Sequence, residues 1–211
     1  EFYLSYKNNP VLESRIRHIG EIIDHEDDLV SIAGFSMVEG AILYSSFAFL
    51  KHYQTNGKNK LLNVVRGIDF SLRDENLHAE AGAWCFKYLR AQRQLTDYEE
   101  VKLELAIKAA AQTIYEHEEQ IIKLMFEKGA IEGITAHQLE CFTKSRLNEC
   151  LKNLGYSGIF EVKYNPIAEW FYKAINNYTF NDIFSGLGSQ YHRDWDEQGF
   201  NWKSKREKKN E

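Results

Sequence analysis

An all-α fold is predicted by three observations on these 211 residues. Only two prolines occur, Pro10 and Pro166; no run alternates like a strand long enough to build a sheet; and the long segments between breakers carry apolar residues at helical spacing. With 44% hydrophobic residues the chain is long enough for one domain with a substantial core.

The elements follow in chain order. Residues 29–50 (LVSIAGFSMVEGAILYSSFAFL) form the most apolar helix, and Asn56, Gly57, Lys58 and Asn59 give the clearest turn signal before the next long helix, which carries Glu75 and His78. A capping box of Thr96 with Glu99 opens an amphipathic helix whose apolar face runs through Leu103, Ile107, Ala110, Ile114, Ile121 and Met125 and ends at Gly129 and Gly133. Thr135 with Gln138 starts another, running to about Asn153 before Gly155 and Gly158 stop it. After Phe184 the composition shifts to Gly, Ser, Asp, Lys and Glu with isolated aromatics. Residues 1–184 are therefore expected to form a helical body and 185–211 a flexible tail. No internal repeat is found.

Charge and cysteine usage exclude several classes. A formal charge of −5 and a pI near 5.9 give no footprint for a polyanion, and the one basic cluster, Lys203 to Lys209, is interrupted by Glu207. No nucleic acid is expected as a direct partner. Cys85, Cys141 and Cys150 are odd in number and lack zinc-ligand spacing, and nothing resembles a secretory signal, which points to a reducing, cytoplasmic setting. The chain begins at Glu1, so a processed product or a fragment stays open.

Within residues 29–50 the one formally charged side chain is Glu39, near the centre. The length matches a membrane span of about 20 apolar residues. Against that stand a central acid that costs about 2.5–3.5 kcal/mol to insert, four serines, and the charged flanks Asp24, Glu26, Asp27, Asp28 and Lys51. No membrane is expected, and a soluble core helix is the reading adopted. An ionised carboxylate in such a core needs a cation or donors. Gly57 stands midway between Glu39 and Glu75, so antiparallel neighbours would bring the two carboxylates to the same height. His78, three residues past Glu75, projects to the same side. Dimetal carboxylate proteins of the ferritin-like kind use one Glu from each of two helices and a Glu-x-x-His from each of two others, and this is half of that set. The nearby run Glu116, His117, Glu118, Glu119 is read as a mostly solvated face.

The residues around these donors are more specific than their spacing. Val38-Glu39-Gly40-Ala41-Ile42-Leu43-Tyr44 and Arg73-Asp74-Glu75-Asn76-Leu77-His78 resemble the second half of the class I ribonucleotide reductase small subunit, whose patterns are E-G-x-x-x-Y and R-D-E-x-L-H. The similarity continues through Phe126-Glu127-Lys128-Gly129, Asn153-Leu154-Gly155 and Asn165-Pro166 into the aromatic tail.

The resemblance implies a partial ferritin-like bundle in which Glu39, Glu75 and His78 hold half of a dinuclear iron centre, with manganese or a mixed manganese–iron pair as the alternative. It places Asp74 on the hydrogen-bonded radical route beside the metal, with a salt bridge to Arg73 as the plain reading. It puts Leu43 and Phe47 in the lining of the radical pocket, and Tyr191 at the tail tyrosine that relays the radical, or else anchors the tail. The implied partners are the large catalytic subunit and a second small subunit. Two departures stand out. The family's other ligands, an Asp and a Glu-x-x-His, and its radical-bearing tyrosine precede the region aligned with Glu1. A complementary N-terminal polypeptide is therefore expected, and the chain alone is expected to be inactive. The end, KSKREKKNE, differs from the acidic-aromatic docking peptide of many small subunits. Two rival functions remain, another dioxygen-activating dimetal oxidase and a non-catalytic helical interaction protein. A homodimer sharing one centre is a further arrangement.

Overall fold

The computed structural model describes residues 8–55 and 57–176. Its helices are α1 (Pro10–Ile23), α2 (Asp28–Met37), a π-helical turn (Val38–Ile42), α3 (Leu43–Lys51), a 3-10 turn (His52–Gln54), α4 (Leu62–Arg93), α5 (Asp97–Met125), α6 (Ala136–Leu154) and α7 (Pro166–Asn176). No strand occurs among the described residues, only an isolated bridge between Ile131 and Ile134. The chain divides into two compact units, Glu1–Ile175 and Asn176–Glu211. The expected tail, Tyr191 and Asn56 lie outside the described residues.

Local chemistry sets the helix ends. Asn9 accepts from the amides of Val11 and Leu12 with Pro10 in the first turn, and Asp27 accepts from Leu29. The two expected capping boxes are formed, Thr96 with Glu99 and Thr135 with Gln138. Gly155 closes α6 at φ 94°, a left-handed conformation that glycine adopts without a Cβ clash. From Asp28 to Gln54 the chain is one continuous helical rod, long and apolar enough by composition to cross a membrane. Most of its apolar surface is instead buried within the bundle, against α1, α4, α5 and α6.

Two apolar clusters form the core. One gathers Leu29, Met37, Phe86, Ile107, Ile114, Leu147 and Leu154, while the other gathers Tyr44, Leu72, Ile122, Leu139, Phe142 and Phe171 where α7 closes the bundle. The rod and α4 are antiparallel and unusually close. Ser36 donates to the Ala79 carbonyl at 2.8 Å, a Cβ on Gly82 would lie 3.2 Å from Ser36, and a Cβ on Gly40 would lie 3.2 Å from Ala79. Further along, the Tyr44 hydroxyl donates to Asn76, and Lys51 pairs with Asp69. These pairings centre the hairpin beyond Gly57, most of them by two to three residues. The expected equal height of Glu39 and Glu75 is thereby corrected: His78 lies nearer the height of Glu39. The cause is the stretch between Thr55 and Leu61, which turns later than the Gly57 signal suggests, with Asn59 and Leu61 at positive φ.

The outer face of α4 carries Phe70, Leu77 and Trp84 at seven-residue intervals, with Tyr88 stacked on Trp84 at 5.5 Å. Each of the four is half exposed or more. Among the described residues nothing covers this stripe.

Candidate metal centre

Glu39 is the second residue of the π-turn, where the Leu43 amide donates to the Val38 carbonyl five residues back. Such turns are rare and concentrate at functional sites. Glu75 and His78 sit one turn apart on α4, and their donor atoms and those of Glu39 all lie within 4.8 Å of one another. His78 Nδ1 is 2.9 Å from Glu75 Oε2 and 3.9 Å from Glu39 Oε2. The three residues named from the sequence thus come together.

Glu39 Oε2 is buried and has no hydrogen-bond partner. Burial, and then the Glu75 carboxylate beside it, push its carboxyl up to about 7, while His78 acts the other way. Two carboxylates facing each other with an orphaned oxygen between them are a costly arrangement unless a cation joins them. Carboxylate oxygens with an imidazole, and no thiolate, suit iron or manganese. The residues present therefore fit a metal.

The centre lies at the edge of the bundle, which corrects the picture of a wholly buried carboxylate. The Glu39 side chain is 16% exposed and that of His78 52%. Asp74 is exposed and outside the converging group. Leu43 and Phe47 are half buried.

The run from Glu116 to Glu119 is not the solvated face expected of it. Glu118 is fully buried, with Arg15 of α1 2.9 Å from its carboxylate, and the His117 ring lies against His18 at 3.8 Å, tilted by 43°. Glu116 alone is exposed, and Glu119 pairs with Lys123. The signal was present, since Glu118 falls four residues after Ile114 and three before Ile121, on the apolar face of α5 that α1 covers.

Sequence reasoning also missed Arg146 of α6. It is 7% exposed, and its Nε donates to the Gly40 carbonyl at 2.8 Å, next to Glu39. No motif marks it.

Comparison with known proteins places the chain among relatives. A family model described as ribonucleotide reductase, small chain, matches residues 1–166. A curated relative named "Probable ribonucleoside-diphosphate reductase small subunit", from Invertebrate iridescent virus 3, is 26% identical over 167 residues, covering 79% of this chain and 43% of the relative. The X-ray structure of dimanganese(II)-NrdF from Streptococcus sanguinis superposes with a TM-score of 0.66 at 26% identity, over 77% of this chain and 56% of that one. A ribonucleotide reductase R2 subunit from Clostridium botulinum gives a TM-score of 0.70 at 21% identity, over 81% and 55%, a likeness of fold. The chain spans less than two thirds of the length of each of these relatives.

Proposed function

Because the chain belongs to the ribonucleotide reductase small-chain family, we propose that it is part of a ribonucleoside-diphosphate reductase small subunit and contributes one half of a dinuclear metal centre. The observation that carries this reading is the convergence of Glu39, Glu75 and His78 around the unpartnered Glu39 oxygen. Glu39 and Glu75 would neutralise the cation, and His78 would complete the set with a neutral nitrogen. The metal pair, iron or manganese, supplies the one-electron oxidising chemistry that generates a radical for converting ribonucleotides to deoxyribonucleotides, the precursors for DNA replication.

This chain's residues then have distinct tasks. Asp74, beside Glu75 in sequence, serves the hydrogen-bonded radical route, and Tyr191 relays the radical toward a large catalytic subunit that holds the nucleotide. Three ligands do not hold two metals, and among the described residues no others converge with them, so the remaining ligands are assigned to a complementary N-terminal polypeptide. The apolar stripe of Phe70, Leu77, Trp84 and Tyr88 on α4 is the face it covers. The assembly pairs into a dimer in a reducing, cytoplasmic setting, in keeping with the free thiols of Cys85, Cys141 and Cys150.

The test is the native assembly, isolated with the polypeptides it carries and analysed for iron and manganese. Glu39→Ala, Glu75→Ala and His78→Ala should each abolish or strongly weaken occupancy at one of the two metal positions; unchanged occupancy in all three overturns the assignment. Metal-free wild type that still holds its partners would identify a helical interaction protein instead. Tyr191→Phe should keep affinity for the large subunit and lose turnover. Full activity in that variant removes the relay role.

A further inference from the structure

Arg146 is a buried cation. Among the described residues no carboxylate forms an ion pair with its guanidinium, although the side chain is 7% exposed. Taking such a charge out of water is expensive, and an apolar side chain of similar volume fills a helix interface without that cost. Its compensation is specific: Nε donates to the Gly40 carbonyl at 2.8 Å, one terminal nitrogen donates to the Tyr172 hydroxyl at 2.9 Å, and the guanidinium lies 4.0 Å over the Tyr44 ring.

All of this converges on the turn that carries Glu39. Gly40 is the central residue of the π-turn, and its peptide follows directly on Glu39. The other side of Gly40 is closed as well, because a Cβ there would meet Cys150 Sγ at 2.7 Å and the Ala79 methyl at 3.2 Å. The π-turn is thus gripped by Arg146 and Cys150 of α6 and by Ala79 of α4. Glu75 and His78 need no such grip, since they project from an unbroken α-helix.

We infer that Arg146 is a positioning residue: its guanidinium fixes the Gly40 carbonyl and so aims the Glu39 carboxylate at Glu75 and His78. The inference rests on the metal-site reading given above, and its mechanism is that of an outer partner fixing the backbone from which a ligand springs. It acts through Glu39 and touches no metal itself.

Manganese(II) affinity, measured by electron paramagnetic resonance on the native assembly alongside the melting temperature, tests it. Five proteins are compared: wild type, Glu75→Ala, Arg146→Met, Arg146→Lys, and Leu154→Ala as a destabilised variant at the far end of α6. Arg146→Met should weaken manganese(II) binding by about 10- to 100-fold. Arg146→Lys, which keeps the charge and one donor, should fall between Arg146→Met and wild type. Leu154→Ala should lose melting temperature and keep wild-type affinity. Wild type that binds no manganese(II), or Glu75→Ala that binds as well as wild type, overturns the metal-site reading and this inference with it. If that reading stands, wild-type affinity in Arg146→Met overturns the inference alone, as does an equal loss in Leu154→Ala. Should Arg146→Met fail to fold, Arg146→Lys decides by itself, and wild-type affinity there overturns the inference.

Discussion

Glu39 and Glu118 are both carboxylates on apolar helix faces, and their surroundings divide their roles. Glu118 is fully buried with Arg15 2.9 Å away, an ion pair that pins α1 to α5. Glu39 instead faces the Glu75 carboxylate and the His78 ring. The sequence made Glu39 legible because it is the single charge in a long apolar run, whereas Glu118 hid inside a run of four polar residues. Helical spacing from Ile114 and Ile121 singles out Glu118 among those four, and the covering helix α1 is what buries it. Burial holds the Glu118 carboxyl above its ordinary value of 4.5, against the pull of Arg15 and the Ser45 hydroxyl. A carboxyl raised in the folded state contributes stability that is fully present below the unfolded value and lost as pH rises through the folded one. Melting temperature should therefore decline as pH climbs above 4.5, and Glu118→Gln should flatten that decline. Parallel profiles for wild type and variant, read by circular dichroism across that range, would remove Glu118 from the effect.

At the scale of the element, stops and starts were more legible than register. Thr96 with Glu99, Thr135 with Gln138, and Gly155 act through bonds to near neighbours, so short-range chemistry suffices to read them. The offset between α4 and the apolar rod depends instead on how residues 55–61 turn and on which small residues let the helices approach, and neither has a local signature. The π-turn was illegible for the same reason: nothing local in Val38–Ile42 calls for an extra residue in the turn, and the distortion is held from outside by α6 and α4. Gly40 is where this pressure is greatest. A Gly40→Ala substitution puts a methyl 2.7 Å from Cys150 Sγ, an overpacking expected to cost about 1–3 kcal/mol, read as a lower urea midpoint at unchanged slope. Removing the sulfur in the same background, with Cys150→Ala, should restore part of the loss, the contact with Ala79 remaining. A midpoint equal to wild type for Gly40→Ala would mean that the interface yields.

For the whole molecule, the all-α class was readable from proline scarcity and helical periodicity and its ferritin-like arrangement from the family resemblance, and the structural neighbours share it. Periodicity says which face of a helix is apolar, but it leaves open whether this chain or another polypeptide covers that face. Hence Glu39 was placed deep inside, while the structure leaves its side chain 16% exposed at the edge of the bundle. The stripe of Phe70, Leu77, Trp84 and Tyr88 along the outer face of α4 has a thermodynamic consequence. A polypeptide that binds the folded body and not the unfolded chain adds stability in proportion to the logarithm of its own concentration. With the proposed cover present, the melting temperature of this chain would be a property of a mixture, rising with the abundance of that cover, and a cell would set the lifetime of the one by how much it makes of the other.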